Sequence, residues 1–342
     1  MHKDTLLLLL TPDRLDAIAR LWGGSASDLT FIRAMENFVY AFRRGDSDLI
    51  LRLTHSTHRS RDEVVAELEF VDYLAHQGVD VAHPVPAETG RLIETFPAPG
   101  SEFHAAVFRR APGHLPDLKG DPATVAALHE DWGAMMGRMH QAIPTYRDGH
   151  TDPRRHVGYE DDITGNCRHY LPAEAGHLAD ILADLLRELQ TLPRGPGQFG
   201  LLHTDCHHGN FHVDGRRLTL FDFDDCCHTW FAYDLAVPLW HFPVPERGQD
   251  PDRDRAMVTT FFRRFLAGYS RHHRFDPAWR DQLPQFFRLR DLQLFVFAHK
   301  MKPATGFEPE MQDFMHRRQA LIESGRPSVE IDWSAADLPT RN

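Results

Sequence analysis

The sequence contains no long apolar run. Its most lipophilic stretch near the start covers only the five residues Leu6–Leu10 and is closed by Thr11-Pro12-Asp13. A secretory signal peptide needs about 7 to 15 consecutive apolar residues, and a membrane helix needs about 20. We therefore expect a cytoplasmic protein that has no membrane partner.

Cysteine and positive charge are both scarce. Four cysteines in 342 residues are too few for the disulfide framework of a secreted protein, so we expect reduced thiols. Lysine and arginine together number 38, against 49 aspartates and glutamates, which gives a net charge of −11. Such a charge repels nucleic acid and anionic membranes, so neither is expected as a partner.

The rest of the composition is that of a folded protein with a core. Hydrophobic residues make up 42% of the chain and charged residues 25%, and 23 glycines accompany 23 prolines, values near the average for globular proteins. No internal repeat or low-complexity tract is present. At roughly 100 to 200 residues per domain, the length predicts two domains or one large bilobal unit.

The first third of the chain has the pattern of an antiparallel sheet with one helix. Apolar, β-branched and aromatic residues alternate with turn signals, and one segment places apolar residues at helical spacing. The expected elements are a strand over 29–42, a turn over 44–48, a strand over 49–53, a helix over 60–77 ended by Gly78, and strands over 91–96 and 103–108.

The pattern becomes mainly helical after the break at Ala111-Pro112-Gly113. We expect helices over 121–143, 176–192, 258–272 and 283–300, and a long loop over 144–175. The break divides the chain into an N-terminal domain, residues 1–111, and a C-terminal domain, residues 112–342. The predicted fold class is α+β, with a small antiparallel-sheet lobe and a larger, mainly helical lobe.

One segment, residues 201–236, carries a pattern of chemically active side chains. His203-Thr204-Asp205 is followed by Asn210. Asp222-Phe223-Asp224 then comes directly after a strand-like run, residues 218–221. Phosphoryl transfer from a nucleotide needs such a set, because the protein has mainly to position the two substrates and the metal ions. One carboxylate can orient an acceptor hydroxyl, while an amide oxygen and a second carboxylate are ligands that Mg²⁺ prefers.

The same segment resembles a known family. His203 to Asn210, HTDCHHGN, keeps the H-x-D-x-x-x-x-N spacing of the kinase catalytic loop and resembles the HGDLHPGN loop of the aminoglycoside phosphotransferase and choline kinase-like family. Phe221 to Asp225 resembles that family's IDFDD segment, and Tyr233 to Ala236 resembles its YDLA. The resemblance implies a bilobal, protein-kinase-like fold that uses ATP, with GTP possible, together with Mg²⁺.

The reaction implied by the resemblance is transfer of the γ-phosphoryl group to a hydroxyl of a small-molecule acceptor, such as an aminoglycoside, an amino alcohol or an amino acid. Position by position, it assigns Asp205 as the catalytic base and Asn210 and Asp222 as metal ligands. It makes His203 a residue that braces the loop. Asp234 is expected to be structural, at the start of a helix whose dipole suits its charge.

The N-terminal third adds a nucleotide-binding set to the resemblance. Residues 36–40 resemble the family's phosphate-covering strand turn, which lacks the glycine-rich motif of protein kinases. Residues 49–53 resemble the strand that carries the phosphate-binding lysine, although this chain has an arginine there. Residues 107–111 match the hinge, where adenine bonds to backbone. The implied cofactor-binding residues are Asn37, Arg52, its partner Glu67, Arg109 and Ala111.

Other interpretations stay open on the sequence alone. A Ser/Thr protein kinase of the bacterial stress-response type would use the same scaffold. A non-haem iron oxygenase using His203 and Asp205 is a remote alternative, since it requires a β-rich scaffold. A cationic acceptor is suggested by the acidic residues Asp161, Asp162, Asp224 and Asp225. The sequence assigns neither an oligomeric state nor a role to His207, His208, Cys226 and Cys227.

Overall fold

The chain is organised as two compact units that are not contiguous in sequence. A computed structural model describes residues 3–158, 167–244, 249–302 and 306–336. The first unit comprises Met1–His114 and His212–Asp224, and the second comprises Leu115–Phe211 and Asp225–Asn342. The prediction of two contiguous domains divided at residue 111 did not anticipate this arrangement. In the described part of the chain, no helix is both long and apolar enough to cross a membrane.

Backbone pairing explains why residues 212–224 belong to the first unit. Val213 pairs with His114 in an antiparallel bridge, and Leu220 pairs with Val81 in a parallel one. Leu220 N–H also donates to the Asp80 carbonyl at 2.9 Å. The segment that contains the predicted metal ligand Asp222 is therefore fixed to the rest of the first unit by main-chain hydrogen bonds.

An antiparallel sheet forms the centre of the first unit. Its strand order is β1-β2-β3-β6-β4. β4 pairs with residues 107–108 of β6, and β5 pairs with residues 101–106 of the same strand. A separate two-stranded sheet joins β8 to β9. The strands are β1 (Thr30–Ala34), β2 (Asn37–Arg44), β3 (Ser47–His55), β4 (Pro84–Val85), β5 (Ile93–Ala98), β6 (Ser101–Arg109), β8 (Phe211–Asp214) and β9 (Arg217–Leu220).

The prediction of one strand over 29–42 was wrong, because the segment contains β1 and most of β2, joined by a tight turn at Met35 and Glu36. β1 lies at the sheet edge and exposes Phe31 and Ile32 to about half of their full extent, at 50% and 48%. Exposed apolar residues in an edge strand have the same sequence pattern as buried ones, so the turn between the strands was not recognised. The predicted β2–β3 hairpin is confirmed.

The helix predicted over 60–77 is confirmed as α3, Arg61–His76. Ser60 caps it through a hydrogen bond from the Glu63 N–H, and the Glu63 carboxylate accepts from the Ser60 N–H at 2.8 Å. The expectation of a single helix in this region was wrong. Two short helices precede the sheet, α1 (Lys3–Leu7) and α2 (Pro12–Arg20). α2 packs Ile18 against the sheet core.

The second unit is mainly helical, as predicted. A two-stranded sheet, β7 (Phe199–Leu202) with β10 (Cys227–Trp230), accompanies the helices. The helices are α4 (Pro122–Ala142), α5 (Cys167–Tyr170), α6 (Leu178–Gln190), α7 (Phe231–His241), α8 (Pro251–Tyr269), α9 (Trp279–Lys300) and α10 (Pro309–Glu323). The last two predicted helices begin earlier than expected. The predicted loop over 144–175 contains a 3₁₀ helix, Ile143–Gly149, as well as α5, and its residues 159–166 lie outside the described part.

Two glycines let α4 and α8 approach closely. A Cβ atom on Gly133 would lie 1.8 Å from the Phe265 carbonyl oxygen, and one on Gly268 would lie 1.8 Å from the Glu130 carbonyl oxygen. Neither position can accept a side chain without separating the helices. This contact fixes the helical scaffold of the second unit.

Candidate active site

Loop 203–210 leaves strand β7 and is held in a compact shape by its own hydrogen bonds. The Asp205 N–H donates to His203 Nδ1 at 3.1 Å. The Asp205 carbonyl accepts from the His207 N–H at 2.8 Å, and the His207 carbonyl accepts from the Asn210 N–H at 2.9 Å. His203 is fully buried and accepts the hydrogen bond from the Asp205 N–H, which fits the bracing role expected of it. The loop brings the side chains of Asp205 and Asn210 together.

The Asp205 carboxylate is anchored through both of its oxygens. Oδ2 accepts from Asn210 Nδ2 at 2.8 Å, and Oδ1 pairs with the Arg290 guanidinium. Burial alone would raise the pKa of Asp205, but the Arg290 charge and the hydrogen bond from His207 outweigh burial and hold the pKa well below its usual range. The side chain is still 21% exposed. An ionised carboxylate that remains open to solvent can accept a hydrogen bond from an acceptor hydroxyl.

Asn210 is oriented by its amide nitrogen. Nδ2 donates both to the Asp205 carboxylate and to the Asp205 main-chain carbonyl, at 2.8 and 2.9 Å. The residue is 3% exposed. With the nitrogen committed to Asp205, the amide oxygen is the atom that Asn210 can offer to a cation.

Arg290, which the sequence gave no reason to select, is the main partner of Asp205. It lies in α9, is buried, and also donates to His241 Nε2 at 2.8 Å. Burial and the Arg290 charge lower the pKa of His241 to about 2, so its imidazole is neutral and can accept this hydrogen bond. Arg290 Nη1 is 3.4 Å from the Tyr233 hydroxyl. No local sequence signal identifies Arg290, because it reaches Asp205 from a distant helix through tertiary packing.

Thr204 has a backbone conformation that is unfavourable for a β-branched residue, with φ of 65°. Two hydrogen bonds hold it there. Its N–H donates to Asp234 Oδ1 and its hydroxyl donates to the Asp225 carbonyl, both at 2.7 Å. The other Asp234 oxygen accepts from His140 Nε2 at 2.8 Å. Asp234 is fully buried in the first turn of α7, and these contacts fit the structural role expected of it.

In the first unit, Asp222 also has a positive φ, of 67°. Its carboxylate is 23% exposed and pairs with the guanidinium of Arg33 on β1. The sequence analysis did not select Arg33, which lies far from Asp222 along the chain. The carboxylate expected to bind a metal is therefore accessible and has a cation beside it.

Arg52 and Glu67 form the ion pair that the sequence predicted. The guanidinium of Arg52 on β3 donates twice to the Glu67 carboxylate on α3, at 2.7 and 2.6 Å. The two residues are 5% and 1% exposed. Burial alone would lower the pKa of Arg52, but the Glu67 charge outweighs it and raises the pKa above its usual range. The pair fixes α3 to the sheet.

The other predicted nucleotide contacts have partners within the first unit. Asn37 Oδ1 accepts from the Thr54 hydroxyl at 2.6 Å. The Arg109 N–H donates to the His83 carbonyl at 2.9 Å, and the Ala111 carbonyl accepts from His212 Nδ1 at 2.9 Å. These bonds fix the backbone of the expected hinge. A role in adenine or phosphate binding stays a prediction for Asn37, Arg109 and Ala111.

Asp224 does not supply free negative charge for a cationic acceptor. It is buried and accepts from His58 Nε2 at 2.5 Å, while His58 Nδ1 is 3.8 Å from Glu36 Oε1. Burial alone would lower the pKa of His58, but the Asp224 carboxylate outweighs it and raises the pKa. Asp161 and Asp162, the other acidic pair considered, lie outside the described residues.

The oxygenase alternative does not fit this structure. It requires a β-rich scaffold, whereas His203 and Asp205 lie in the helical unit, and His203 uses Nδ1 to brace the loop. The four cysteines are free and buried, as expected for reduced thiols.

Comparison with known proteins agrees with the motifs. The family model described as "Phosphotransferase enzyme family" matches residues 28–291. The amicoumacin kinase of Bacillus subtilis (strain 168) is 30% identical over 340 residues, which cover 98% of this chain and 98% of that protein.

Solved structures show the same fold. The amicoumacin kinase hAmiN, in complex with AMP-PNP, Ca²⁺ and Ami, is 28% identical and superimposes with a TM-score of 0.88 over 98% of this chain and 99% of that one. A microcompartment-associated aminopropanol kinase has a TM-score of 0.63 at 20% identity, over 91% of this chain and 97% of that one. The predicted α+β, protein-kinase-like fold is confirmed.

Proposed function

The chain belongs to the phosphotransferase enzyme family, and from this premise we propose that it phosphorylates a hydroxyl group of amicoumacin or of a closely related compound. It is a kinase that acts on a small-molecule acceptor. The observation that carries the proposed acceptor is the similarity to amicoumacin kinases along nearly the whole chain. Acceptor selection is expected in the helical unit.

Asp205 is the proposed catalytic base. Its ionised carboxylate accepts a hydrogen bond from the acceptor hydroxyl and aligns that oxygen for attack on the γ-phosphorus of ATP. A bond forms between the acceptor oxygen and phosphorus, the bond to the β,γ-bridging oxygen breaks and releases ADP, and the hydroxyl proton passes to the Asp205 carboxylate. Asn210 and Arg290 keep the carboxylate in one orientation during this step.

Asn210 and Asp222 are the proposed ligands of a divalent ion, which we assign as Mg²⁺. The amide oxygen of Asn210 and the carboxylate of Asp222 are hard oxygen donors, the type that Mg²⁺ prefers. Such an ion, when bound with ATP, neutralises charge on the phosphates. In the free protein, Arg33 balances the charge of Asp222.

Arg52 is the proposed contact to the nucleotide phosphates, held in place by Glu67. The family resemblance places a lysine at this position, and arginine keeps its positive charge. Asn37 is proposed at the phosphates, and the backbone at Arg109 and Ala111 at the adenine. ATP is the proposed nucleotide, with GTP as the competitor to be tested.

An acceptor panel tests the proposal. The purified chain is incubated with Mg²⁺ and either ATP or GTP, together with amicoumacin, aminopropanol, homoserine, choline or an aminoglycoside. Products are identified by mass spectrometry, with Asp205→Asn as the matched inactive control. We expect phosphorylated amicoumacin with ATP, and at least about 10²-fold less of it with the variant.

Two results would redirect the proposal. Turnover of another small molecule in preference to amicoumacin would keep the kinase activity and replace the proposed acceptor. Phosphate found on protein serine or threonine, with no small-molecule product, would favour the stress-response protein kinase.

A further inference from the structure

A group of metal-ligating side chains lies in the first unit, apart from the residues assigned to phosphoryl transfer. Asp72 and His76 are one turn apart on α3, and His83 lies just before β4. One ligand atom from each of the three residues lies within 4.8 Å of the other two. His83 Nε2 is 2.9 Å from Asp72 Oδ1, and His76 Nδ1 is 3.4 Å from Asp72 Oδ2.

We propose that Asp72, His76 and His83 bind a divalent transition-metal ion such as Zn²⁺ or Ni²⁺. Ligand atoms around a tetrahedral ion with bonds of about 2.0–2.1 Å are separated by roughly 3.3 Å. Each oxygen of the Asp72 carboxylate has one imidazole nitrogen near this separation, that of His83 at 2.9 Å from Oδ1 and that of His76 at 3.4 Å from Oδ2. Two imidazoles with one carboxylate suit zinc-like ions, whereas Mg²⁺ and Ca²⁺ prefer oxygen donors. Water completes the coordination, because the three side chains are partly exposed.

The three ligands are carried by backbone that is already ordered. Asp72 and His76 share the last turns of α3, so their spacing is set by the helix. The His83 carbonyl accepts from the Arg109 N–H, and the next residue, Pro84, begins the strand that pairs with β6. Binding needs only small side-chain movements. His76 gives up the hydrogen bond from Nδ1 to the Asp72 carbonyl, 2.8 Å long.

A second cluster, Glu36, His58 and Asp224, is a poorer transition-metal site. His58 lies between the two carboxylates, and the Asp224 carboxylate raises the pKa of His58, which favours the protonated imidazole over a metal-bound one. The negative charge of Asp224 is already balanced by His58 and by the neighbouring Arg59 and Arg52. In the Asp72 cluster, one carboxylate faces two imidazoles. A divalent cation bound there is attracted by the carboxylate and coordinated by the two imidazoles.

Zinc titration of the tag-free, full-length protein tests the proposal. Calorimetry is performed in excess Mg²⁺, which occupies oxygen-rich sites, on the wild type and on His76→Ala and His83→Ala. His177→Ala is the matched control, since His177 is a half-exposed histidine whose Nε2 is 2.8 Å from a single carboxylate, that of Glu323. Circular dichroism and the thermal shift with Mg-ATP establish that each variant is folded.

We expect one equivalent of Zn²⁺ whose affinity falls by at least about tenfold in His76→Ala and in His83→Ala, and which His177→Ala binds as the wild type does. Unchanged Zn²⁺ binding in His83→Ala, no binding to the wild type, or an equal loss in His177→Ala would each overturn the proposal. Because the ligands play no part in the proposed phosphoryl transfer, failure here leaves the kinase assignment untouched.

Discussion

At the scale of single residues, the carboxylate proposed as the base depends on a buried arginine. Arg290 neutralises Asp205, and Asn210 holds its second oxygen. Removing the guanidinium leaves a mostly buried carboxylate without its principal counter-charge. The carboxylate is then less firmly oriented, and its ionised form is less stable. Arg290 acts through Asp205 and is therefore a positioning residue.

We predict that Arg290→Met lowers kcat by about 10- to 100-fold, the loss of a hydrogen bond to a charged group, while the KM for ATP changes little. Arg290→Lys should recover part of kcat, because it restores the charge without the second donor. Steady-state kinetics check this, with Tyr233→Phe as a control that removes an outlying contact of Arg290 and the Tyr233 hydrogen bond to Gln293 but leaves the Arg290–Asp205 pair intact. A kcat within twofold of wild type in Arg290→Met would contradict the assigned role.

Thr204 gives a second residue-scale prediction, about stability. The resembling family loop has glycine here, and Thr204 has φ of 65°. Thr204→Gly relieves strain of about 1–3 kcal/mol and loses a hydrogen bond worth about 1 kcal/mol, so its stability should equal that of the wild type or exceed it by up to about 2 kcal/mol. Thr204→Val keeps the strain, loses the hydroxyl donor and should cost about 1–3 kcal/mol. A free energy of unfolding in urea that is lower for Thr204→Gly than for Thr204→Val would contradict this account.

At the scale of elements, the Arg52–Glu67 pair joins β3 to α3 in a buried environment. Breaking a buried ion pair from one side is costly, about 3–5 kcal/mol, whereas replacing both partners by apolar residues is often neutral. We predict that Arg52→Met and Glu67→Leu each destabilise the protein by that amount, and that the double variant recovers most of the stability but does not recover Mg-ATP binding. Urea unfolding and calorimetry measure the two effects separately. Full nucleotide binding in the double variant would exclude Arg52 as a phosphate contact.

His129 of α4 makes the second unit sensitive to acid. Its ring is buried edge-on against Phe242 and Phe261, and neither ring nitrogen has a hydrogen-bond partner in the described part of the chain. Burial lowers the pKa of His129 from 6.5 to about 4. Between these two values the unfolded chain binds a proton that the folded protein does not, so stability is lost as the pH falls.

We predict that between pH 7.5 and 5 the wild type loses about 2 kcal/mol more unfolding free energy than His129→Leu does. Urea unfolding at both pH values measures the difference. His150→Ala, which removes an exposed histidine, should behave like the wild type. Equal pH dependence in wild type and His129→Leu would show that the ring is not buried in its neutral form.

The elements also show what the sequence could and could not predict. The loop from His203 to Asn210 was predictable because its residues are contiguous and their spacing is specific. Arg290 and Arg33 could not be predicted, since each reaches its carboxylate from a distant element through tertiary packing. The β1–β2 turn was missed because the exposed apolar residues of an edge strand resemble buried ones.

At the scale of the whole molecule, the proposed roles are divided between the two units. Arg52, Glu67 and Asp222 belong to the first, while Asp205, Asn210 and Arg290 belong to the second. The sequence predicted two domains, but pairing of Val213 and Leu220 with the first unit involves residues far apart along the chain, and no local pattern indicated it.

The most direct test of the account separates phosphoryl transfer from nucleotide binding. Formation of phosphorylated amicoumacin is measured by mass spectrometry for the wild type and Asp205→Asn at saturating Mg-ATP, together with the Mg-ATP-induced shift in Tm of each protein. We predict that Asp205→Asn reduces transfer by about 10²- to 10⁴-fold while the shift in Tm remains. Transfer at the wild-type rate by Asp205→Asn would contradict the account.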